Sequence, residues 1–132
     1  EGQQVAILAF GSMIAPALEA GEWLNATVVD MRFVKPLDEA MLRHLSLSHS
    51  ILVTVEENTL AGGSGSAVNE FVAASGLLVS TLNLGIPDRF VAQDKPAQML
   101  ADCGLNAAGI HTAITARLAV LANPESLQAL RP

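Results

Sequence analysis

Ile51-Leu52-Val53-Thr54-Val55-Glu56 is a short, almost unbroken apolar run, rich in β-branched residues, that ends on a carboxylate. Such a run reads as a strand covered on both faces, the usual state of a strand inside a parallel sheet. Val5-Ala6-Ile7-Leu8-Ala9-Phe10 upstream has the same character. Thr27-Val28-Val29-Asp30-Met31 and Leu78-Val79-Ser80-Thr81-Leu82-Asn83-Leu84 supply two further strand candidates. Between these runs the apolar period changes from two to that of a helix. Ile14, Ala17, Leu18 and Leu24 line one face, with Pro16 tolerated in the first turn. Asp38 is a natural N-cap for a helix to about Leu47, with Leu37 and Leu42 spaced as a hydrophobic staple. A third helix runs from about Ser66 to Ala74, and Gly76 ends it. A short helix follows Pro96 and stops at Gly104; Asn106 caps a last one that carries Ile110, Ile114, Leu118 and Leu121 and ends at Asn123-Pro124. Regular alternation of strand and helix predicts a three-layer α/β/α domain over residues 1–122, with 123–132 as a tail.

Composition narrows the partners. The 132 residues are 51% hydrophobic and 15% charged, enough for one real core, and aromatics are scarce, with Trp23 the single tryptophan and no tyrosine. A net charge of −6 disfavours nucleic acid and anionic membrane surfaces. No apolar run in the sequence is long enough to suggest a bilayer span. Cys103 is the only cysteine, so an internal disulfide is impossible and a reducing, cytoplasmic setting fits best. The chain opens on Glu1, as a piece of a longer protein or a processed terminus would.

The residues with chemical potential are few. Glu56 and Glu57 end the third strand, at the side of an α/β sheet where ligands bind. Adjacent strand residues point to opposite faces, so the pair is not expected to share a substrate; one carboxylate accepting hydrogen bonds from the nearby loop and the other solvated is the simpler reading. Gly62-Gly63-Ser64-Gly65-Ser66 precedes a helix, and its N–H groups could hold an anion, although it is neither a full dinucleotide fingerprint nor a Walker loop. A tight strand-to-helix turn is the alternative. Asp30 and Arg32 share a strand face and suit a salt bridge or an interdomain contact; Arg89, beside Asp88, suits a phosphate or, better in so acidic a chain, a carboxylate. His44, His49 and His111 lack metal-ligand spacing, and Cys103 near a helix C-terminus is a poor thiolate. No residue is assigned as catalytic, cofactor-binding or metal-binding.

Taken together, Leu8-Ala9-Phe10-Gly11-Ser12, Asn25 through Asp38, Val53 through Asn58, Gly62 through Glu70, Leu84 through Phe90 and Gly104 through Ile110 resemble the C-terminal domain of the 1-deoxy-D-xylulose 5-phosphate synthase family. The resemblance covers about Gln4 to Leu121, and the Asp30–Asp38 stretch is its most specific part; Gln93-Asp94 departs from the pattern where glycine is usual at the second position. It implies a mostly parallel, mixed five-stranded sheet, with Arg89 to Ala92 as the extra strand. It also implies a parent homodimer that uses thiamine diphosphate and magnesium to decarboxylate pyruvate and join the two-carbon unit to glyceraldehyde 3-phosphate. In that family other domains hold the cofactor, and Glu56 and Glu57 do not inherit the role of the glutamate that activates thiamine. The implied function is support of the dimer and of interdomain packing, without catalysis by this domain alone. Two alternatives stand beside it. One is a regulatory module that binds an anion or phosphate through Gly62–Ser66. The other is the equivalent domain of a transketolase or of a 2-oxo acid dehydrogenase β subunit.

Overall fold

The structure is a computed structural model, which describes residues 4–31, 37–59, 63–86, 96–123 and 125. In chain order its elements are β1 (Val5–Ala9), a 3₁₀ turn (Gly11–Met13), α1 (Ile14–Leu24), β2 (Thr27–Asp30), α2 (Glu39–Ser48), β3 (Ile51–Thr59), α3 (Ser64–Ala74), β4 (Ser80–Ile86), α4 (Pro96–Asp102) and α5 (Ala107–Ala122). The four strands lie in the order β2-β1-β3-β4, and each neighbouring pair is parallel. Pairs such as Ala6 with Thr27, Val5 with Ile51 and Ile51 with Ser80 set the register.

The two strands that read as buried on both faces are the two central ones. Every residue of β1 is buried, and so is β3 from Ile51 to Glu56. Their alternate side chains feed two separate cores. Val5, Ile7, Ala9, Ile51, Val53 and Val55 point toward α1 and α5, where Met13, Ala17, Ile110 and Ile114 meet them. Ala6, Leu8 and Leu52 point the other way, toward α2 and α3, and pack with Leu42, Leu45, Val68 and Val72. This is the α/β layering expected from the alternation of periods. The sheet comprises four strands, all parallel, among the described residues; the candidate fifth strand, 89–92, lies outside them.

Three boundaries differ from the sequence reading, each for a physical reason. β4 runs from Ser80 to Ile86, two residues later than the apolar run suggests. Gly76 adopts a left-handed φ of 66° and Leu77 N–H donates to the Val72 carbonyl, so Leu77–Val79 serve to carry the chain from the helix layer to the sheet. Leu78 is fully exposed in that passage. β3 continues past Glu56 to Thr59, which pairs with Ile86 beyond a register shift. α3 begins at Ser64 instead of Ser66, for a reason that belongs to the site below.

The helix caps follow the sequence closely. Asp38 accepts from the Met41 N–H at 3.1 Å, and Leu37 packs into the same core as Leu42. Asn106 accepts from the Gly109 N–H at 2.8 Å. Asp38→Ala is expected to cost about 1 kcal/mol of stability, the usual value of an N-cap acceptor, and urea unfolding of the variant measures it. Within Gln98–Ala122 an 18-residue window reaches a mean hydropathy of 1.2, enough by length and composition alone to cross a membrane. The backbone divides it: Gly104 turns with a φ of 74° between α4 and α5. The remaining 16-residue α5 spans roughly 24 Å, and its buried face rests on the sheet and α1.

Candidate functional site

In a sheet of this order the chain leaves β1 and β3 toward opposite faces, which opens a crevice beyond their C-terminal ends. Glu56 and Glu57 stand there, and the backbone sends them apart. Glu56 is fully buried beneath α3. One of its carboxylate oxygens accepts the Ser64 N–H at 2.7 Å and the other accepts the Gly65 N–H at 2.6 Å. These are first-turn donors that the helix itself cannot satisfy, and the positive end of the helix dipole favours a carboxylate beside them. The capping acid comes from the neighbouring strand and not from the residue before the helix. Gly63, at the N-cap position, has no side chain with which to cap. This is why α3 starts two residues early.

The same geometry places an internal carboxylate where an external anion would meet Ser64 and Gly65. Gly65 is held by its surroundings as well. A Cβ at that position would lie 2.7 Å from Asn83 Nδ2 and 2.8 Å from Thr54 Oγ1. Those two atoms are themselves bonded: Asn83 Nδ2 donates to Thr54 Oγ1 at 2.7 Å, and Asn69 Nδ2 donates to Asn83 Oδ1 at 2.6 Å. A chain of polar side chains thus links β3, β4 and α3 beside the Glu56 carboxylate. It ends at Asn69 Oδ1, which is buried and accepts no hydrogen bond.

Glu57 faces the other way and is exposed. Its Oε1 accepts the Ser12 hydroxyl at 2.8 Å, so the carboxylate bridges the crevice to the turn after β1. Gly11 makes that turn with a left-handed φ of 64°. The two glutamates therefore do not form a dyad, and neither faces the other's partners.

The remaining candidates are dispersed. Asp30 is exposed at the end of β2. Gly62, Arg32 and Arg89 lie outside the described residues. His49 ties the end of α2 to the sheet: its Nε2 is 2.9 Å from Thr27 Oγ1 and its Nδ1 is 3.1 Å from the Leu45 carbonyl. His111 sits edge-on to Trp23 with ring centroids 5.7 Å apart. His44 is exposed. Cys103 is half-buried against the α1–α5 core. Among the described residues no three His, Cys, Asp or Glu side chains converge as a metal site would need. Sequence reading missed Ser12, Thr54, Asn69 and Asn83. Ser12 had a signal in its place after a strand-ending Gly11, but its partner stands 45 residues away. The amide chain had none, because its members become neighbours only when β3, α3 and β4 pack.

Comparison with known proteins matches this arrangement to one family. The family model for the transketolase C-terminal domain matches residues 1–110. The chain is 60% identical over 120 residues to 1-deoxy-D-xylulose-5-phosphate synthase of Stutzerimonas stutzeri (strain A1501), a match that covers 91% of this chain and 19% of that protein. It is 59% identical over 118 residues to the synthase of the same name from Ectopseudomonas mendocina (strain ymp), covering 89% of this chain and 19% of that one. The chain therefore spans about a fifth of the length of these relatives. Among solved structures it resembles one described as a split gene transketolase, inactive beta4 tetramer, with a TM-score of 0.80 and 35% identity over 87% of this chain and 39% of that one. On the family match and this fold together, the chain belongs to the transketolase C-terminal domain family.

Proposed function

We propose that this chain is the C-terminal domain of a 1-deoxy-D-xylulose 5-phosphate synthase, and that it supports the packing and dimerisation of the enzyme without an active site of its own. The observation that carries the reading is the 60% identity to a synthase across 91% of the chain, against 35% to the split-gene transketolase. The geometry is consistent with a supporting role. The first-turn amides of α3 are donated to Glu56, and the second glutamate is engaged with Ser12.

The enzyme so proposed joins a two-carbon unit from pyruvate to glyceraldehyde 3-phosphate with thiamine diphosphate and magnesium. In this reading the other domains hold the cofactor, and no step of the reaction is routed through this one; the helix-start amides that could meet a diphosphate, those of Ser64 and Gly65, already donate to Glu56. The same reading places the protein in the cytoplasm and includes a fifth strand that makes the sheet mixed.

The test is removal of residues 1–132 from the full-length protein. The truncated enzyme is expected to lose product formation from pyruvate and glyceraldehyde 3-phosphate by at least about tenfold, because the site loses support that excludes water. It is also expected to sediment with less dimer. A truncated enzyme that remained dimeric and fully active would overturn the proposal.

A further inference from the structure

β4 has a sequence without the usual protections of an edge strand. It is seven residues long, Ser80–Ile86, and contains neither a charge nor a proline. β2, at the opposite edge, is four residues long and ends on the exposed carboxylate of Asp30. Among the described strands β4 has a neighbour on one side, which is β3. The Ser80 N–H donates to the Ser50 carbonyl at 3.3 Å, so the backbone of Ser80 faces β3. Both backbone groups of a strand residue point to one side, and those of the next residue point to the other. Thr81 therefore turns its N–H and its carbonyl outward.

That outward carbonyl is occupied. Arg117 of α5 donates to it from Nη1 at 3.0 Å. Arg117 is the one charged residue among the sixteen of α5. The single charge of the helix is thus directed at a backbone acceptor on the rim of the sheet. A strand added beside β4 would run about 4.8 Å away and place its own N–H on Thr81. The guanidinium already stands inside that distance, in a charge-assisted bond that a neutral amide does not match.

We propose that Arg117 closes this edge: it blocks strand addition at the start of β4 and so keeps two copies of this chain from pairing edge to edge. The excluded partner is a second copy, because every copy carries the same edge and two identical strands are self-complementary about a two-fold axis. β4 has no charge of its own with which to repel that copy. Because Thr81 is taken, any strand beside β4, a fifth strand of the same chain included, pairs only beyond it. The inference stands on the sheet and does not depend on the synthase reading.

The experiment compares the full-length protein with its variants by sedimentation velocity up to about 100 μM, a range in which exposed edges associate. Far-ultraviolet circular dichroism checks that each variant is folded. Arg117→Ala is expected to raise the fraction of species larger than the parent's by at least about fivefold. Arg117→Lys keeps a charged donor on a long stem and is expected to associate as little as the parent. Thr81→Pro is then added to Arg117→Ala. The N–H it removes points outward, so no bond to β3 is lost, while the ring obstructs a neighbouring strand. Association of this double variant is expected to return to the parent's level. Three results would overturn the proposal: Arg117→Ala no more associated than the parent, Arg117→Lys as associated as Arg117→Ala, or association undiminished by Thr81→Pro. The third is the sign of association through unfolded chains, which a proline at the edge does not prevent.

Discussion

Glu56→Ala is expected to destabilise the chain by about 3–5 kcal/mol, because it leaves two amide donors without acceptors in a dry site and opens a void below α3. The two bonds that are lost are short and charge-assisted, at 2.6 and 2.7 Å. Glu56→Gln separates acceptor loss from volume loss. The glutamine keeps one carbonyl acceptor but turns an NH₂ toward the second amide, so it is expected to cost about 2 kcal/mol with almost no change of shape. Urea midpoints of the two variants, with unchanged slope, measure both values. A loss below about 1 kcal/mol for Glu56→Ala would show that water satisfies the amides equally well.

Gly109→Ala has the second large effect, and here two terms compete. Alanine is preferred to glycine inside a helix by about 1 kcal/mol. Against that, a Cβ on Gly109 would stand 2.5 Å from the Gly104 carbonyl oxygen and 2.7 Å from its carbonyl carbon and Cα. These are backbone atoms, so no side-chain rotation relieves the overlap. The first turn of α5 is also pinned by Asn106, whose Oδ1 accepts the Gly109 N–H, and by Leu105, which is 1% exposed. Overpacking of this kind reaches about 3 kcal/mol, and the clash wins by about 2 kcal/mol. The site lies on the opposite side of the sheet from Glu56, so the double variant Glu56→Ala, Gly109→Ala is expected to lose the sum of the two single effects. A Gly109→Ala variant as stable as the parent would show that the α4–α5 turn yields freely.

Much of the fold was legible in the sequence, because its signals are local. Continuous apolar runs mark β1 and β3 as strands covered on both faces; that they are also the two central strands is decided by the order of the sheet and not by the runs. Asp38 and Asn106 mark helix starts because their own side chains do the capping. The start of α3 was misread because its cap is borrowed: Glu56 belongs to the preceding strand, and only the folded turn delivers it to Ser64 and Gly65. The start of β4 was misread because Leu77 and Leu78 look like strand residues, while one is a helix-closing contact and the other faces solvent. At the crevice, the opposed directions of Glu56 and Glu57 follow from strand geometry alone. Their partners do not, since Ser12 and the Thr54–Asn83–Asn69 chain are assembled by topology.

The absence of any antiparallel pair among the described strands has a consequence for how the chain acquires its shape. No two of these strands can zip from a hairpin; even the pairing nearest in sequence, Ala6 with Thr27, must wait for the whole of α1. β1 is the extreme case. It is made early but gains its second neighbour only when Ile51–Val55 arrives, after two crossovers. Contacts this distant in sequence slow the search for the native state. Until β3 arrives, Val5–Ala9 presents an apolar, uncharged edge to any other unfinished chain. Refolding yield is therefore expected to fall with protein concentration, and the remedy lies in β3: variants that speed its docking onto β1 shorten the interval during which that edge stands open.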